Sequence, residues 1–267
     1  MAAKLAVQLF TLREFTKTAV EFGKSLEKVR AMGYTGVQLS AVGCMNGENP
    51  EVDAKTARKM LDDNGLKCVA THRSFDQLVN QTEAEIEFHQ TLGCKYVAIG
   101  SLPRDKYHTR GAAGYREFVA DARPMAEKLR AAGLIFGYHN HAHEFIPGDE
   151  QYKTCYDLLI GEGSDFLAME IDTHWVVHAG ADPVVYIRKC PGRVQVIHLK
   201  DKAVDIEEGP IMAPIGEGNL NWDAIIPAFQ EAGCEWMAVE QDRCYGRDPF
   251  DCLKSSYDFV HERFGID

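Results

Sequence analysis

One pattern of apolar and polar residues recurs along the chain: an amphipathic stretch ends at a glycine, and a short, mostly apolar run follows at once. Glycine accepts the left-handed conformation that commonly ends a helix, so each copy predicts a helix, a glycine and then a strand. The repetition indicates one structural unit used several times. The copies are AMGYTGVQLS at Gly33, DNGLKCVATH at Gly65, TLGCKYVAIG at Gly93, AAGLIFGYHNH at Gly133 and EAGCEWMAVE at Gly233.

The intervals between these copies complete a strict alternation of strands and helices. Strict alternation predicts parallel strands joined by right-handed crossovers. Eight such units close into a barrel, although an open doubly wound sheet fits the same alternation. Polar residues end at least six of the strands, whereas an open sheet concentrates its ligand groups at one switch point, so we expect a single (β/α)8 barrel domain over residues 1–267. The predicted strands are 4–9, 36–39, 67–71, 96–99, 135–140, 167–171, 194–199 and 237–239, and the predicted helices are 17–32, 51–64, 82–92, 111–132, 151–161, 182–190, 222–232 and 249–263.

Composition agrees with this fold and narrows the function. A chain of 267 residues, 45% of them hydrophobic, is long enough for one barrel, and its formal charge of −11 disfavours nucleic acid as a partner. Apolar runs are too short for a membrane span, and the start lacks the order of a signal peptide, so we expect a cytoplasmic protein without a membrane partner. The eight cysteines form no CxxC pair and are expected to be reduced and structural.

Four apolar runs in the second half of the chain end in side chains that can hold a metal ion. If parallel strands deliver these ends to one mouth of a barrel, their side chains share one site. Such a pattern indicates catalysis rather than a purely structural barrel. The runs are 134–144 (LIFGYHNHAHE), 166–172 (FLAMEID), 194–201 (VQVIHLKD) and 236–242 (WMAVEQD).

Strand alternation selects the ligands. Asp172, His198 and Glu240 fall on inward positions, and burying them without a counter-ion costs several kcal/mol per ion, so a cation is expected between them. The fourth ligand comes from HNHAHE: Glu144 could reach back from the loop, or His139 could bind as the inward residue at the strand end. Carboxylates and imidazole without thiolate suit one divalent ion, Mn²⁺ before Mg²⁺, Co²⁺ or Zn²⁺.

Further polar residues at the strand ends supply candidate acid–base and substrate-binding groups. Histidine and lysine near a metal can move protons or neutralise an oxyanion. We expect His72, His139, His141 and Lys200 to be catalytic. The expected substrate-binding residues are Gln8, Gln38, Trp175, Asp201 and Gln241.

The chain resembles the xylose isomerase-like TIM-barrel superfamily, in its sugar phosphate isomerase/epimerase branch, which includes D-tagatose 3-epimerase-like and inosose dehydratase-like enzymes. The resemblance covers nearly the whole chain and is carried by YHNHAHEF, EIDTHWVVHAG, HLKD and VEQD, supported by ATHRSFDQL. It implies a divalent metal held by Glu, Asp, His and Glu from strands five to eight. Asp172, His198 and Glu240 match, whereas His139 stands where the epimerases carry their first glutamate, which is one of their two proton shuttles.

The predicted function is proton abstraction next to a carbonyl, through a metal-stabilised enediolate, on a keto-sugar, sugar phosphate or cyclitol. Isomerisation or epimerisation is the first expectation, and dehydration of the inosose dehydratase type is the alternative. An abasic-site nuclease resembling endonuclease IV and a non-catalytic sugar-binding barrel are weaker alternatives, the former disfavoured by the acidic charge. A homo-oligomer is possible.

Overall fold

Ten strands are present in a computed structural model that describes residues 3–267. The strands are β1 (Lys4–Gln8), β2 (Gly36–Leu39), β3 (Lys67–His72), β4 (Tyr96–Ile99), β5 (Ile135–His139), β6 (Leu167–Glu170), β7 (Val196–Leu199), β8 (Asp201–Asp205), β9 (Gly209–Ala213) and β10 (Trp236–Val239). Eight of them form a parallel barrel in the order β6-β5-β4-β3-β2-β1-β10-β7, and β8 and β9 pair as an antiparallel hairpin.

The seam between β6 and β7 closes the barrel. A single parallel bridge joins Asp172 to His198, and the His198 amide donates to the Ile171 carbonyl at 3.0 Å. The predicted (β/α)8 barrel is therefore confirmed. The closure also fixes two of the predicted metal ligands side by side through their backbones.

Helices cover the outside of the barrel, and all eight predicted helical regions contain one. The five repeat glycines have positive φ, from +64° at Gly65 to +114° at Gly33, as their predicted place after a helix requires. Two short helices, Phe75–Asn80 and Thr173–His178, were not predicted. The helices are α1 (Ala19–Ala31), α2 (Ala54–Asp63), α3 (Phe75–Asn80), α4 (Thr82–Leu92), α5 (Gly111–Ala131), α6 (Cys155–Glu162), α7 (Thr173–His178), α8 (Pro183–Arg188), α9 (Trp222–Glu231) and α10 (Pro249–Phe264).

The larger hydrophobic core lies between the strands and the helices, whereas the buried apolar residues inside the barrel are small except for Tyr96. At Gly137 a β-carbon would lie 2.4 Å from the ring of Tyr96, so only glycine leaves room for that ring. On seven strands a small inward residue precedes a polar one by two positions, which places both on the same face. The pairs are Ala6 and Gln8, Gly36 and Gln38, Ala70 and His72, Gly137 and His139, Ala168 and Glu170, Val196 and His198, and Ala238 and Glu240.

The β8–β9 hairpin is the largest departure from the predicted elements. It occupies residues 201–213 between β7 and α9, where the sequence pattern predicted no element.

Within residues 3–267 no helix is long and apolar enough to cross a membrane. All eight cysteines fall in the described part of the chain and none forms a disulfide there.

Candidate active site

The carboxyl ends of β5, β6, β7 and β10 bring together four buried side chains. One ligand atom from each of His139, Asp172, His198 and Glu240 lies within 4.8 Å of the others. His198 Nδ1 is 2.9 Å from Glu240 Oε2 and 3.9 Å from Asp172 Oδ2, and His139 Nε2 is 4.0 Å from Asp172 Oδ2. The three ligands predicted from strand alternation are thus adjacent, and His139 is the strand-five residue beside them.

This group fits a divalent cation on chemical grounds. Asp172 Oδ2 and His139 Nδ1 are buried and make no hydrogen bond within the described chain. Three carboxyl groups, those of Asp172, Glu240 and Asp242, lie around a single ammonium group, and a fourth, that of Glu170, lies beside Gln38 and His72, so negative charge is in excess. Two imidazoles and two carboxylates form a donor set that Zn²⁺, Mn²⁺ and similar ions accept.

Lys200 provides the ammonium group. Its Nζ lies 3.0 Å from Asp172 Oδ2, 2.7 Å from Glu240 Oε2 and 2.9 Å from Asp242 Oδ1, although the contact with Asp172 lacks hydrogen-bond geometry. Burial by itself lowers the pKa of Lys200, but these carboxylates outweigh it and raise that pKa. Lys200 is therefore a fixed positive charge inside the site.

The same network shifts the pKa values of Glu240 and Asp242 in opposite directions. Burial raises the pKa of Glu240, yet Lys200 and His198 overcome this effect and hold it well below its usual range. Burial and the neighbouring Glu240 raise the pKa of Asp242 to about 6, against the effect of Lys200. Glu240 is thus the ionised carboxylate that Lys200 and His198 share.

Glu170 is a central residue that the sequence prediction left out of the site. Its carboxylate accepts from Gln38 Nε2 at 3.0 Å and lies 2.5 Å from His72 Nε2, and both of its neighbours come from distant strands. Together with His139 and His198, His72 and Glu170 form a second group of possible ligand atoms within 4.8 Å. The sequence offered one signal for Glu170, because this residue lies two positions before Asp172 and therefore on the same strand face.

A cavity of about 210 Å³ opens beside these groups at the barrel mouth. It is the natural place for a small substrate because all four predicted catalytic residues line it. A larger depression of about 650 Å³ at the opposite end of the barrel has no histidine among its lining residues. The mouth cavity is lined by Gln8, Phe10, Ser40, His72, Gly100, His139, His141, Lys200, Glu240 and Asp242.

His141 faces this cavity as a neutral imidazole. Burial, Lys200 and His143 lower its pKa to about 3, and its ring centre is 5.2 Å from that of Trp175. Trp175 is half-buried, and its ring also lies 5.7 Å from Lys200 Nζ. The two rings form one wall near the mouth.

Glu144 lies apart from the four-residue group. Its oxygens accept from the Tyr138 hydroxyl and the His141 amide, each at 2.8 Å, and its possible ligand partners are His141 and His143. Burial raises its pKa to about 7. The expectation that Glu144 reaches back to Asp172, His198 and Glu240 is corrected by this geometry, because a short helical turn at residues 143–145 directs its side chain toward Tyr138.

Asp201 also departs from its expected role in substrate binding. It begins β8 rather than ending β7, and both of its oxygens are occupied by the loop that leads to α9. This buried carboxylate organises the loop and does not line the mouth cavity. It accepts from Trp222 Nε1 at 2.7 Å and from the amides of Lys202, Gly216, Gly218 and Leu220 at 2.8, 2.9, 3.2 and 3.3 Å.

The three glutamines differ in their availability to a substrate. Gln8 lines the cavity, but its Oε1 accepts from the Phe10 amide at 2.7 Å. Gln38 has both ends of its amide bonded, to Glu170 and to His198 Nε2. Gln241 donates through Nε2 to the Arg243 carbonyl at 3.0 Å and keeps a buried, unpartnered Oε1. Gln38 therefore has neither end of its amide free for a substrate and instead connects Glu170 to His198.

The fold and the site define a (β/α)8 barrel of an enzyme superfamily, with a polar cluster at its carboxyl end. The model of the xylose isomerase-like TIM barrel family matches residues 26–256, and the chain belongs to this family.

Curated relatives and solved structures agree with this assignment. Inosose dehydratase of Geobacillus thermodenitrificans is 21% identical over 262 residues, covering 84% of this chain and 86% of that protein. A sugar phosphate isomerase/epimerase from Parabacteroides distasonis superposes with a TM-score of 0.80 at 20% identity, covering 100% and 98% of the two chains. The zinc-bound IolI protein superposes with a TM-score of 0.69 at 14% identity, covering 97% of each chain. At these identities the structural likeness establishes the fold.

Proposed function

We propose that this protein is a divalent-metal-dependent enzyme that removes a proton next to a carbonyl group of a small carbohydrate or cyclitol. The observation that carries the proposal is the buried group of His139, Asp172, His198 and Glu240, which faces a cavity lined by two further histidines. A divalent cation held by these four residues would supply Lewis acidity toward the carbonyl oxygen. The inosose dehydratase and the sugar isomerase/epimerase named above support a carbohydrate-type substrate.

The proton acceptor comes from the histidines at the mouth. His72 has a side chain that is 13% exposed, and its Nδ1 faces Ser40 and Gly100, two residues that line the cavity. His141 remains neutral because of its lowered pKa, so it can accept a hydrogen bond or a proton but carries none to donate from an imidazolium. We assign His72 as the base and His141 as a substrate-orienting group. Lys200 balances negative charge that develops on the substrate.

Dehydration is the reaction that this site favours. Epimerases of the family use paired glutamates as proton shuttles, and His139 here occupies the strand-five position where the first of these would stand. In an elimination, one base removes the proton next to the carbonyl and returns it to the hydroxyl group on the neighbouring carbon, which departs as water when its C–O bond breaks. This reaction does not need the second glutamate. The inosose dehydratases among the relatives support this choice.

Isomerisation is the second candidate, favoured by the same cavity-facing base. A single base that removes a proton and returns it to the adjacent carbon suffices for aldose–ketose exchange. The two reactions differ in product, because only dehydration releases water. A cytoplasmic location and action as one barrel domain complete the proposal.

The test is proton exchange in deuterated water with a panel of keto-cyclitols and keto-sugars, followed by NMR and mass spectrometry. We expect deuterium at the carbon next to the carbonyl, loss of one water from the product, and loss of both signals after treatment with a chelator. Asp172→Asn is the matched variant and should abolish the exchange. No exchange with any of the panel, together with no retained metal and no response to added Mn²⁺ or Zn²⁺, would reject the proposal. Nicking of abasic DNA would instead support the nuclease alternative.

A further inference from the structure

A chain of hydrogen bonds links β2, β3, β6 and β7 across the barrel. Glu170 accepts from Gln38 Nε2 at 3.0 Å, and Gln38 Oε1 lies 2.9 Å from His198 Nε2. The other oxygen of Glu170 lies 2.5 Å from His72 Nε2. Gln38, Glu170 and His198 are fully buried, so water does not compete for these contacts.

The chemistry of the chain dictates where its protons lie. A carboxylate only accepts hydrogen bonds, so the amide nitrogen of Gln38 must face Glu170, and its oxygen must face His198. That oxygen needs a donor, so Nε2 of His198 carries a proton. The same carboxylate requires a proton on Nε2 of His72.

We infer that Glu170 sets the proton positions of two histidines, directly on His72 and through Gln38 on His198. With Nε2 of His198 protonated and bonded to Gln38, Nδ1 is the ring atom that faces Asp172 and Glu240. In the metal-free protein the Glu240 carboxylate, 2.9 Å away, requires a proton on Nδ1 by the same rule, and a bound cation would replace that proton. With Nε2 of His72 protonated, its Nδ1 points to the mouth cavity, 3.4 Å from Ser40 Oγ. Glu170 is thus a positioning residue that prepares a metal ligand and a base at once.

This inference rests on the proposed function for its purpose, but it is tested without any substrate. Protein labelled with ¹⁵N at histidine is examined by two-bond ¹H–¹⁵N correlation spectra, metal-free and loaded with diamagnetic Zn²⁺. These spectra distinguish the two neutral tautomers and the imidazolium. We expect a proton on Nε2 of both His72 and His198 in the unmodified protein, and a ring with unprotonated Nε2 at either position overturns the corresponding half of the inference.

Two variants separate the direct effect from the relayed one. Gln38→Met keeps the side-chain length but removes the relay. In the metal-free protein His198 should therefore lose its fixed Nε2 proton and keep the Nδ1 proton that Glu240 accepts, while His72 is unchanged. In Glu170→Gln the side chain offers one acceptor oxygen to two donors, Gln38 Nε2 and His72 Nε2. One of the two imidazole rings, that of His72 or that of His198, must therefore change its proton position. Zn²⁺ affinity of Gln38→Met should fall about 10- to 100-fold, the usual effect of losing a group that orients a metal-bound histidine.

Glu85→Gln is the control, because Glu85 is also buried but bonds to Arg73 away from this network, and neither His72 nor His198 should change. If Glu170→Gln does not fold, Gln38→Met and the unmodified protein still decide the result. Unchanged proton positions in Gln38→Met, with Zn²⁺ affinity equal to that of the unmodified protein, would overturn the relay. Failure of the sugar-exchange assay would leave these spectra unaffected, so the two proposals fail separately.

Discussion

Glu144 allows a quantitative test of the site because it is a buried carboxyl group without a matching cation. Within residues 3–267 no lysine or arginine forms an ion pair with it, and the nearby His143 is neutral because burial lowers its pKa to about 4. Burial raises the pKa of Glu144 from 4.5 to about 7, although hydrogen bonds from Tyr138 and His141 oppose the rise. The perturbation is Glu144→Gln, which removes the ionisation and keeps the shape.

The expected pH dependence follows from the two pKa values. Below about pH 4.5 Glu144 is neutral in the folded and the unfolded chain, and its contribution to stability is fully present. As the pH rises to about 7, the unfolded chain ionises first, so the folded protein loses stability. The loss at pH 8 is about 3 kcal/mol, at about 1.4 kcal/mol for each pKa unit. Glu144→Gln does not ionise and avoids this loss. Between pH 4.5 and pH 8 its free energy of unfolding should therefore rise by about 3 kcal/mol relative to that of the unmodified protein.

The assay compares thermal unfolding of the two metal-free proteins from pH 4.5 to pH 8. The difference between their melting temperatures should grow by about 6 to 12 °C over this range, because 1 kcal/mol shifts the midpoint by about 2–4 °C in a chain of this size. Glu85→Gln is the matched control, since it removes a buried carboxylate that two hydrogen bonds join to Arg73 and should therefore destabilise at every pH in this range. A Glu144→Gln difference that stays constant with pH would refute the reasoning.

The same variant tests the alternative role of Glu144 as the strand-five ligand. Glu144 shares no ligand group with Asp172, His198 and Glu240, so Glu144→Gln should bind Zn²⁺ or Mn²⁺ as tightly as the unmodified protein. His139→Ala should weaken binding strongly, because it removes one of the four donor atoms. Competition with a chromophoric chelator measures both. The opposite ranking would return Glu144 to the metal site and remove His139 from it.

Three further predictions concern the charge balance, the base and the loop. Lys200→Met should destabilise the metal-free protein by about 3–5 kcal/mol in urea unfolding at pH 8. The loss should be smaller at pH 5, because the carboxyl group of Asp242, with its pKa of about 6, is then largely neutral. Equal losses at the two pH values would contradict this reasoning. Gly100→Ala places a β-carbon 3.1 Å from His72 Nδ1 and should slow proton exchange about 10- to 100-fold with little change in melting temperature. Asp201→Asn should lower stability by about 1–3 kcal/mol and leave the exchange rate of the folded protein unchanged; a selective loss of rate would restore Asp201 to substrate binding.

The barrel was predictable because its signals are local. Helix-ending glycines and short apolar runs occur within a few residues of each other, and the observed strands differ from the predicted ones by at most two residues at either end. The β8–β9 hairpin was missed because its charged residues and short strands produce no such pattern. It depends on the turn at 205–209, where Asp205 accepts from the amides of Glu207 and Glu208.

The site was predictable only where strand alternation alone decides it. Asp172, His198 and Glu240 are inward residues of neighbouring strand ends, so counting positions placed them correctly beside one another. Glu170 was missed because its partners, Gln38 and His72, lie on strands that are not its neighbours in the sheet and meet it only across the closed barrel. Asp201 was assigned to the mouth because the run VQVIHLKD looks continuous, whereas the chain leaves the barrel at that residue.

The position of Lys200 distinguishes between two kinds of site that the proposed metal ion could occupy, structural and catalytic. Its ammonium lies between Asp172 and Glu240, two of the four residues that would hold the cation. Part of the buried negative charge is therefore balanced without a metal ion, and we expect the closed barrel with its continuous core to fold without one. A structural metal site, in contrast, supplies folding energy that the protein lacks without it. The arrangement fits the catalytic centre proposed above, which would bind its ion in an already folded barrel and leave one side open to the mouth cavity.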